Sequence, residues 1–237
     1  MRSYHKPALL VFTLFPALAY AQSGNLSIIS GVLQPEGGKR VDAIVRAMRV
    51  RSALSGPGRP VPVPGLTQYV RVSSKDRDLA FSFSGLDPGI YELCATVPAG
   101  GYLDPCLWDK SVLVNVPASQ IVKGVTITLK KASTIRVHVD DPDHLIRNSP
   151  KGHLLMGVFG PHNRFIPMVR KNEDAQSKDY ELAIPFDRDI KFHTRTVGIT
   201  AVDGSNAPID NGQSAALRHS TNAATPATIN YRITGKK

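Results

Sequence analysis

The stretch Phe81-Ser82-Phe83-Ser84-Gly85-Leu86-Asp87-Pro88-Gly89-Ile90-Tyr91-Glu92-Leu93-Cys94 constrains this chain more than any other. Phe81 and Phe83 stand two apart, so both point to one side of a pleated strand while Ser82 and Ser84 point to the other. Leu86 plugs the edge of the core they enter. Pro88 fixes φ near the value needed early in a turn, and Gly89 is free to take positive φ, so the chain reverses at Asp87-Pro88-Gly89. Tyr91 and Leu93 then resume the alternation. The stretch specifies a β corner and no chemistry.

The first residues read as a targeting segment. Arg2 and Lys6 give a positive flank, Ala8 to Leu18 is an apolar run broken by Pro16, and Ala19-Tyr20-Ala21 places small residues before a cleavage point. Residues 1–21 are therefore expected to be a cleaved signal peptide, since the run falls short of the roughly 20 residues of a membrane span. Gln22, not Cys, follows the cut, so no lipid anchor is expected. Residues 22–237 would form a soluble, secreted or periplasmic protein with room for one large or two small cores.

An oxidising compartment makes a Cys94–Cys106 disulfide the default reading, with two buried free thiols as the alternative. The loop it closes, about a dozen residues long, would contribute on the order of 3 kcal/mol. The formal net charge of +10 would suit nucleic acid, anionic lipid or acidic glycan. The basic residues are scattered, however. Arg46, Arg49 and Arg51 alternate along one predicted strand, and Lys130-Lys131 and Lys236-Lys237 are isolated pairs, so a solvated surface explains them. Export argues against nucleic acid.

In chain order, strands are predicted at Leu26–Leu33, Val41–Val50, Gln68–Ser73, Leu79–Ser84, Ile90–Val97, Val112–Val116 and Val122–Leu129, with a Pro- and Gly-rich surface loop at Gly56–Gly65. Turn signals recur about every 10 residues and no helical periodicity intervenes, which argues a β-sandwich. Gly31, Gly38 and Val41-Asp42-Ala43-x-Val45 resemble the first two strands of carboxypeptidase regulatory-like domains. Phe81-x-Phe83-x-Gly85-Leu86-x-Pro88-Gly89-x-Tyr91-x-Leu93 resembles their most recognisable segment. The resemblance covers roughly Leu26 to Lys131. It implies a transthyretin-like sandwich among carbohydrate-binding-like folds, in an exported bacterial setting, and brings no catalytic residues. The chain departs from it at Arg77-Asp78-Leu79, where those domains carry an Asp-Gly or Asn-Gly hairpin.

Past Lys131 the alternation continues at Thr134–Val139, His153–Phe159, Arg164–Arg170, Asp179–Phe186, Ile190–Val202 and Thr228–Ile233. The fold class is all-β, with two β-sandwiches of the Ig-like or transthyretin-like kind at 22–131 and 132–237. The halves share a style without repeating a sequence. Residues 210–226, rich in Ser, Ala, Asn, Gly and Thr, are expected to form a mobile loop.

No motif here carries catalysis. Asp140-Asp141-Pro142-Asp143 lacks the spacing of a Ca²⁺ loop and suits a turn. His138 and His193 lie in strand-like runs, and Ser205 sits in a turn. No metal site, cofactor or enzyme activity is expected. Tyr69, Tyr102 and Trp108 lie in or beside Gly/Pro-rich segments, where exposed rings stack sugars or grip peptides. Trp108 equally suits core packing beside the bridge. The function expected is an exported binding module for carbohydrate or protein at the cell envelope. The alternative is a structural subunit of an envelope complex.

Overall fold

A computed structural model describes residues 26–51, 61–109, 111–148, 152–174, 176–209, 213–218 and 227–237. The expected signal peptide and residues 56–60 of the loop expected at Gly56–Gly65 lie outside the described residues. The fold is two β-sandwiches in series. In the first, β1 (Ser27–Pro35) lies between β4 (Ala80–Leu86), antiparallel, and β7 (Ile121–Leu129), parallel. The facing sheet runs β3 (Val61–Val72), β2 (Ala43–Arg51), β5 (Gly89–Thr96), β6 (Val112–Val116), all antiparallel. The alternation read from sequence sets what is buried: Ala43, Val45 and Ala47 from β2, Phe81 and Phe83 from β4, and Tyr91 and Leu93 from β5 fill one core.

The corner at Asp87-Pro88-Gly89 carries the chain from one sheet to the other. Arg49 clamps it, with Nη2 donating to the Pro88 carbonyl at 2.6 Å, and the Tyr91 hydroxyl donates to the Asp87 carbonyl at 2.9 Å. Gly89 sits at φ +152°, and a Cβ there would lie 2.7 Å from Arg49 Nε, so the clamp itself demands glycine. The glycine-free turn at Arg77-Asp78-Leu79 is likewise a sheet-to-sheet passage, and Leu79 takes φ 47°. That conformation costs roughly 1–2 kcal/mol in an L-residue. The Leu79 side chain, buried in the core, offsets it.

The second sandwich places β8 (Ser133–Asp140) between β12 (Ser177–Ile184), antiparallel, and β16 (Ala227–Lys236), parallel. β11 (Val169–Glu173) and β14 (Ile199–Asp203) extend that sheet at its two ends. The facing sheet runs β10 (Phe165–Pro167), β9 (His153–Phe159), β13 (Asp189–Val197), β15 (Gln213–Arg218).

Four sequence expectations change. The strand expected at Ile190–Val202 divides at Gly198, whose φ of +69° turns the chain into the opposite sheet. Arg164–Arg170 divides after Pro167, which has no N–H to continue the ladder. Val61 to Gly65, expected in a loop, belongs to β3, an edge strand where Pro62 and Pro64 are tolerated. Within the loop expected at 210–226, Gln213–Arg218 pairs with β13; the remainder of that stretch lies outside the described residues. Its Ser-Ala-Ala composition hides a strand because it lacks the usual β-branched alternation.

Candidate functional site

β5 is buried on both faces, and the reason leads to the site. Tyr91, Leu93 and Ala95 face the core, while Glu92 and Cys94 face outward under a cover. The cover is the segment from Pro98 to Asp109, ending in a four-residue helix α1 (Pro105–Trp108) tied down by a Cys94–Cys106 disulfide with Cα atoms 5.5 Å apart. Asp104 caps this helix: Oδ1 accepts from the Cys106 amide at 2.8 Å, and Oδ2 accepts from the Thr96 hydroxyl at 3.0 Å. Burial raises the Asp104 carboxyl above its ordinary range, Glu92 adds to the rise, and the Cys106 amide, Thr96 and Arg46 oppose it. Arg46 Nη2 lies 3.2 Å from Cys94 Sγ, and its buried Nε has no hydrogen-bond partner.

The same segment is stitched to the second sandwich. The Ala132 amide donates to Gly101, Arg164 Nη1 to the Cys106 carbonyl at 3.2 Å, and Lys171 Nζ to the Pro98 carbonyl at 2.8 Å, while the Leu103 amide donates to Lys130 at the end of the first sandwich. Leu103 and Trp108 are buried in the core of the second sandwich. Trp108, 6% exposed, is thus a peg from one half of the chain into the other.

A cleft of about 540 Å³ opens where Ala99 to Tyr102 of the same segment meet Ala132 and Phe186 of the second sandwich. Lys39, Arg40 and Lys131 line it together with Asp42, Tyr102 and Phe186. A neighbouring hollow of about 550 Å³, lined by Ile44, Arg71 and Pro98 among others, shares Asp42. The carboxylates at this end already have partners. Asp42 Oδ1 accepts from the Ser74 amide at 2.7 Å, and that bond, the Ser74 hydroxyl and Lys75 hold its carboxyl below the ordinary value. Glu36 Oε2 accepts from the Lys131 amide at 2.8 Å.

The three rings singled out in the sequence go to three different places. Tyr102, 9% exposed, packs in the first core and forms a wall of the cleft, its hydroxyl 3.5 Å from the Glu36 carbonyl. Trp108 fills the second core. Tyr69, 65% exposed, stands on the edge strand β3 across from Arg46. Phe186 of the cleft was passed over because it follows a strand-closing Pro185 and reads as a core residue.

Sequence reading set His138 aside as a histidine in a strand-like run and missed its pairing with acids. Its Nδ1 lies 2.7 Å from Asp179 and its Nε2 3.1 Å from Asp140; the bond to Asp179, then that to Asp140, raises its imidazole against the opposing effect of burial. The spacing His138-x-Asp140 on a strand was the available signal, since residues two apart share a face. Asp141 is directed elsewhere, into a buried pair with Lys178 Nζ at 2.9 Å, and caps the short helix α2 (Leu145–Asn148) through the Leu145 and Ile146 amides. Among the described residues the one cluster with metal-ligand types is Glu92, Cys94 and Cys106, whose two sulfurs are joined to each other. No helix of the described residues is long and apolar enough to cross a membrane.

The fold and cleft define an all-β protein of two sandwiches pinned through a disulfide-held loop. No known family profile matches the chain, and no curated protein matches it. Among solved structures it is similar to the Bacillus anthracis TIE protein (11% identity, 88% of this chain and 34% of that one, TM-score 0.30). It is also similar to a streptococcal ancillary pilin (10%, 89% and 63%, TM-score 0.39) and to a minor pilin of Streptococcus agalactiae (12%, 89% and 98%, TM-score 0.33). The chain spans about a third of the first of these and under two thirds of the second. At TM-scores this low the likenesses carry nothing about ligand or assembly.

Proposed function

We propose that this chain is an exported, non-catalytic binding module that holds a carbohydrate in the cleft between its two sandwiches. The observation that supports this most is the cleft itself. Its volume of about 540 Å³ falls in the range of ligand sites, it lies at a junction between two packed bodies, and it carries two aromatic walls, Tyr102 and Phe186. The resemblance of residues 26–131 to carboxypeptidase regulatory-like domains fits such a role, and the signal-like start fits export to the periplasm or beyond. Tyr69, far more exposed than the other two rings, would be a contact for a longer ligand or partner protein.

The test is a glycan array probed with residues 22–237. Binding that falls at least about fivefold in Phe186→Ala and survives in Tyr69→Ala supports the cleft reading, since an aromatic contact is worth on the order of 1 kcal/mol. Absence of binding to every glycan overturns it. Export is checked by fractionation, with a mature N-terminus at Gln22 expected.

A further inference from the structure

We propose that the cleft selects anionic saccharides, sugars whose carboxylate or sulfate groups meet Lys39, Arg40 and Lys131; this rests on the carbohydrate-binding reading above. Several of the protein's cations are engaged by its own carboxylates and carbonyls. Arg49 is engaged with Pro88 and Asp87, Lys130 with Asp109, Arg136 with Glu181, Lys171 with Pro98, and Lys178 with Asp141. Among the described residues, no ion pair or hydrogen bond engages the side chain of Lys39, Arg40 or Lys131; the same holds for Arg71, Arg77, Lys123, Lys191 and Arg195, and what sets the first three apart is that they line one cleft.

Lys130 and Lys131 show the division most directly. Adjacent in sequence on an extended segment, they point to opposite sides: Lys130 closes an ion pair with the loop that carries the peg, and Lys131 faces the cleft. What looks like an isolated basic pair in the sequence is one structural cation and one cleft cation. Asp42 also lines the cleft, and the Ser74 hydrogen bonds and Lys75 favour its charged form, so the lining carries three cations against one carboxylate and keeps a positive excess. A cleft with like charges concentrated between low-dielectric walls focuses a positive potential and draws anions.

Part of the polar main chain around the cleft is already paired. The Gly100 amide donates to Val97, the Gly101 carbonyl accepts from Ala132, and the Gly38 amide donates to Pro35. Those three groups are not open to an added peptide strand. The cationic side chains and the Tyr102 and Phe186 rings suit a ring-shaped ligand bearing charge.

The experiment uses residues 22–237 on an array carrying uronate-bearing, sulfated and neutral oligosaccharides, with poly-glutamate as a peptide polyanion. Binding to the anionic glycans is expected, with the uronate and sulfate arms reporting which anion is preferred. Each of Lys39→Gln, Arg40→Gln and Lys131→Gln is expected to weaken it about two- to fivefold, the range for exposed ion pairs. The triple variant is expected to lose about tenfold or more while keeping the parent's melting temperature, and raising salt should weaken the parent but not the triple variant. Neutral glycans bound as tightly as anionic ones would overturn the charge inference and leave the binding function standing. Poly-glutamate bound as tightly as the glycans would overturn the saccharide preference. No glycan bound at all would remove both.

Discussion

The two sandwiches have the same strand order. In each, the first strand is flanked by an antiparallel fourth strand and a parallel last strand, and the facing sheet runs third, second, fifth, sixth once β11 and β14 of the second sandwich are set aside as additions. They differ in how the core is completed. The first fills its core with its own residues and covers the outer face of β5 with the disulfide-held loop. The second takes Leu103 and Trp108 from that loop and buries an ion pair, Lys178–Asp141, 1% and 0% exposed, at its own edge. Equal topology therefore coexists with unequal self-sufficiency: the first half carries the parts that join the halves, and the second is built to receive them.

The sharpest way to break this contrast is at the ion pair. Asp141→Ala leaves Lys178 buried without a counter-charge and removes the acceptor for two α2 amides, so a loss of about 3–5 kcal/mol is expected. It should fall on the second sandwich, seen as lost hydrogen-exchange protection in β8, β12 and β16 with β1, β5 and β7 unchanged. Equal loss in both halves would show that they unfold as one. Replacing both partners, as Asp141→Leu with Lys178→Met, should recover most of the stability. The pH dependence has the same origin. Burial pushes the Asp141 carboxyl up, but Lys178 and the Ile146 and Leu145 amides outweigh it and leave it below the ordinary value. A carboxylate lowered on folding contributes stability above its unfolded value and loses it as pH falls through the lowered folded one, so the second sandwich should weaken in acid below about pH 4.

Trp108→Ala asks which half the peg belongs to. Truncating a buried Trp costs about 3–5 kcal/mol. The loss is expected in the strands of the second sandwich although residue 108 lies within the first by sequence. Protection lost only in β2, β5 and β6 would return Trp108 to the first core and undo the contrast.

The first sandwich is the more legible from sequence. Phe81 to Tyr91 and Val41 to Ala47 announce strand, face and corner because alternation, proline and glycine act locally. The cysteine pair is legible as a pair. The destination of Trp108 is not, because a buried indole has the same local signature in either core. Lys131 lies some 90 residues from Lys39 and Arg40 in the chain and lines one cleft with them only through packing. His138-x-Asp140 was legible and overlooked, since strands carry such polar faces without function. β15 escaped because its small residues owe their strand to pairing with β13 rather than to propensity.

The bridge tests whether the peg needs its tether. Cys94→Ser with Cys106→Ser frees a loop with a sequence separation of 12, worth about 3 kcal/mol in the chain-entropy account. Because α1 touches both sandwiches, denaturant unfolding should show the loss in both, unlike the two substitutions above. A loss confined to the first sandwich would mean that Trp108 holds α1 in place unaided.

The smallest effect is expected at Asp104, and its sign is the informative part. Burial raises its carboxyl above the ordinary value, so the fold favours the protonated form. A carboxyl raised on folding contributes stability at pH below its unfolded value and loses it as pH rises through the raised folded value. At neutral pH the charged Asp104 therefore works against the fold, while its oxygens still cap α1 and accept from Thr96. Asp104→Asn keeps an acceptor at the cap, since Asn and Asp cap about equally, and removes the buried charge beside Glu92. Its unfolding free energy at pH 7 should equal the parent's or exceed it by up to about 1 kcal/mol, and the gain should vanish below pH 4. Asp104→Ala, which removes the cap as well, should be destabilised by about 1 kcal/mol relative to Asp104→Asn. An Asn variant clearly weaker than the parent at pH 7 would mean that the charge on Asp104 holds Arg46 under the bridge, and the loop would then be secured by electrostatics as well as by its disulfide.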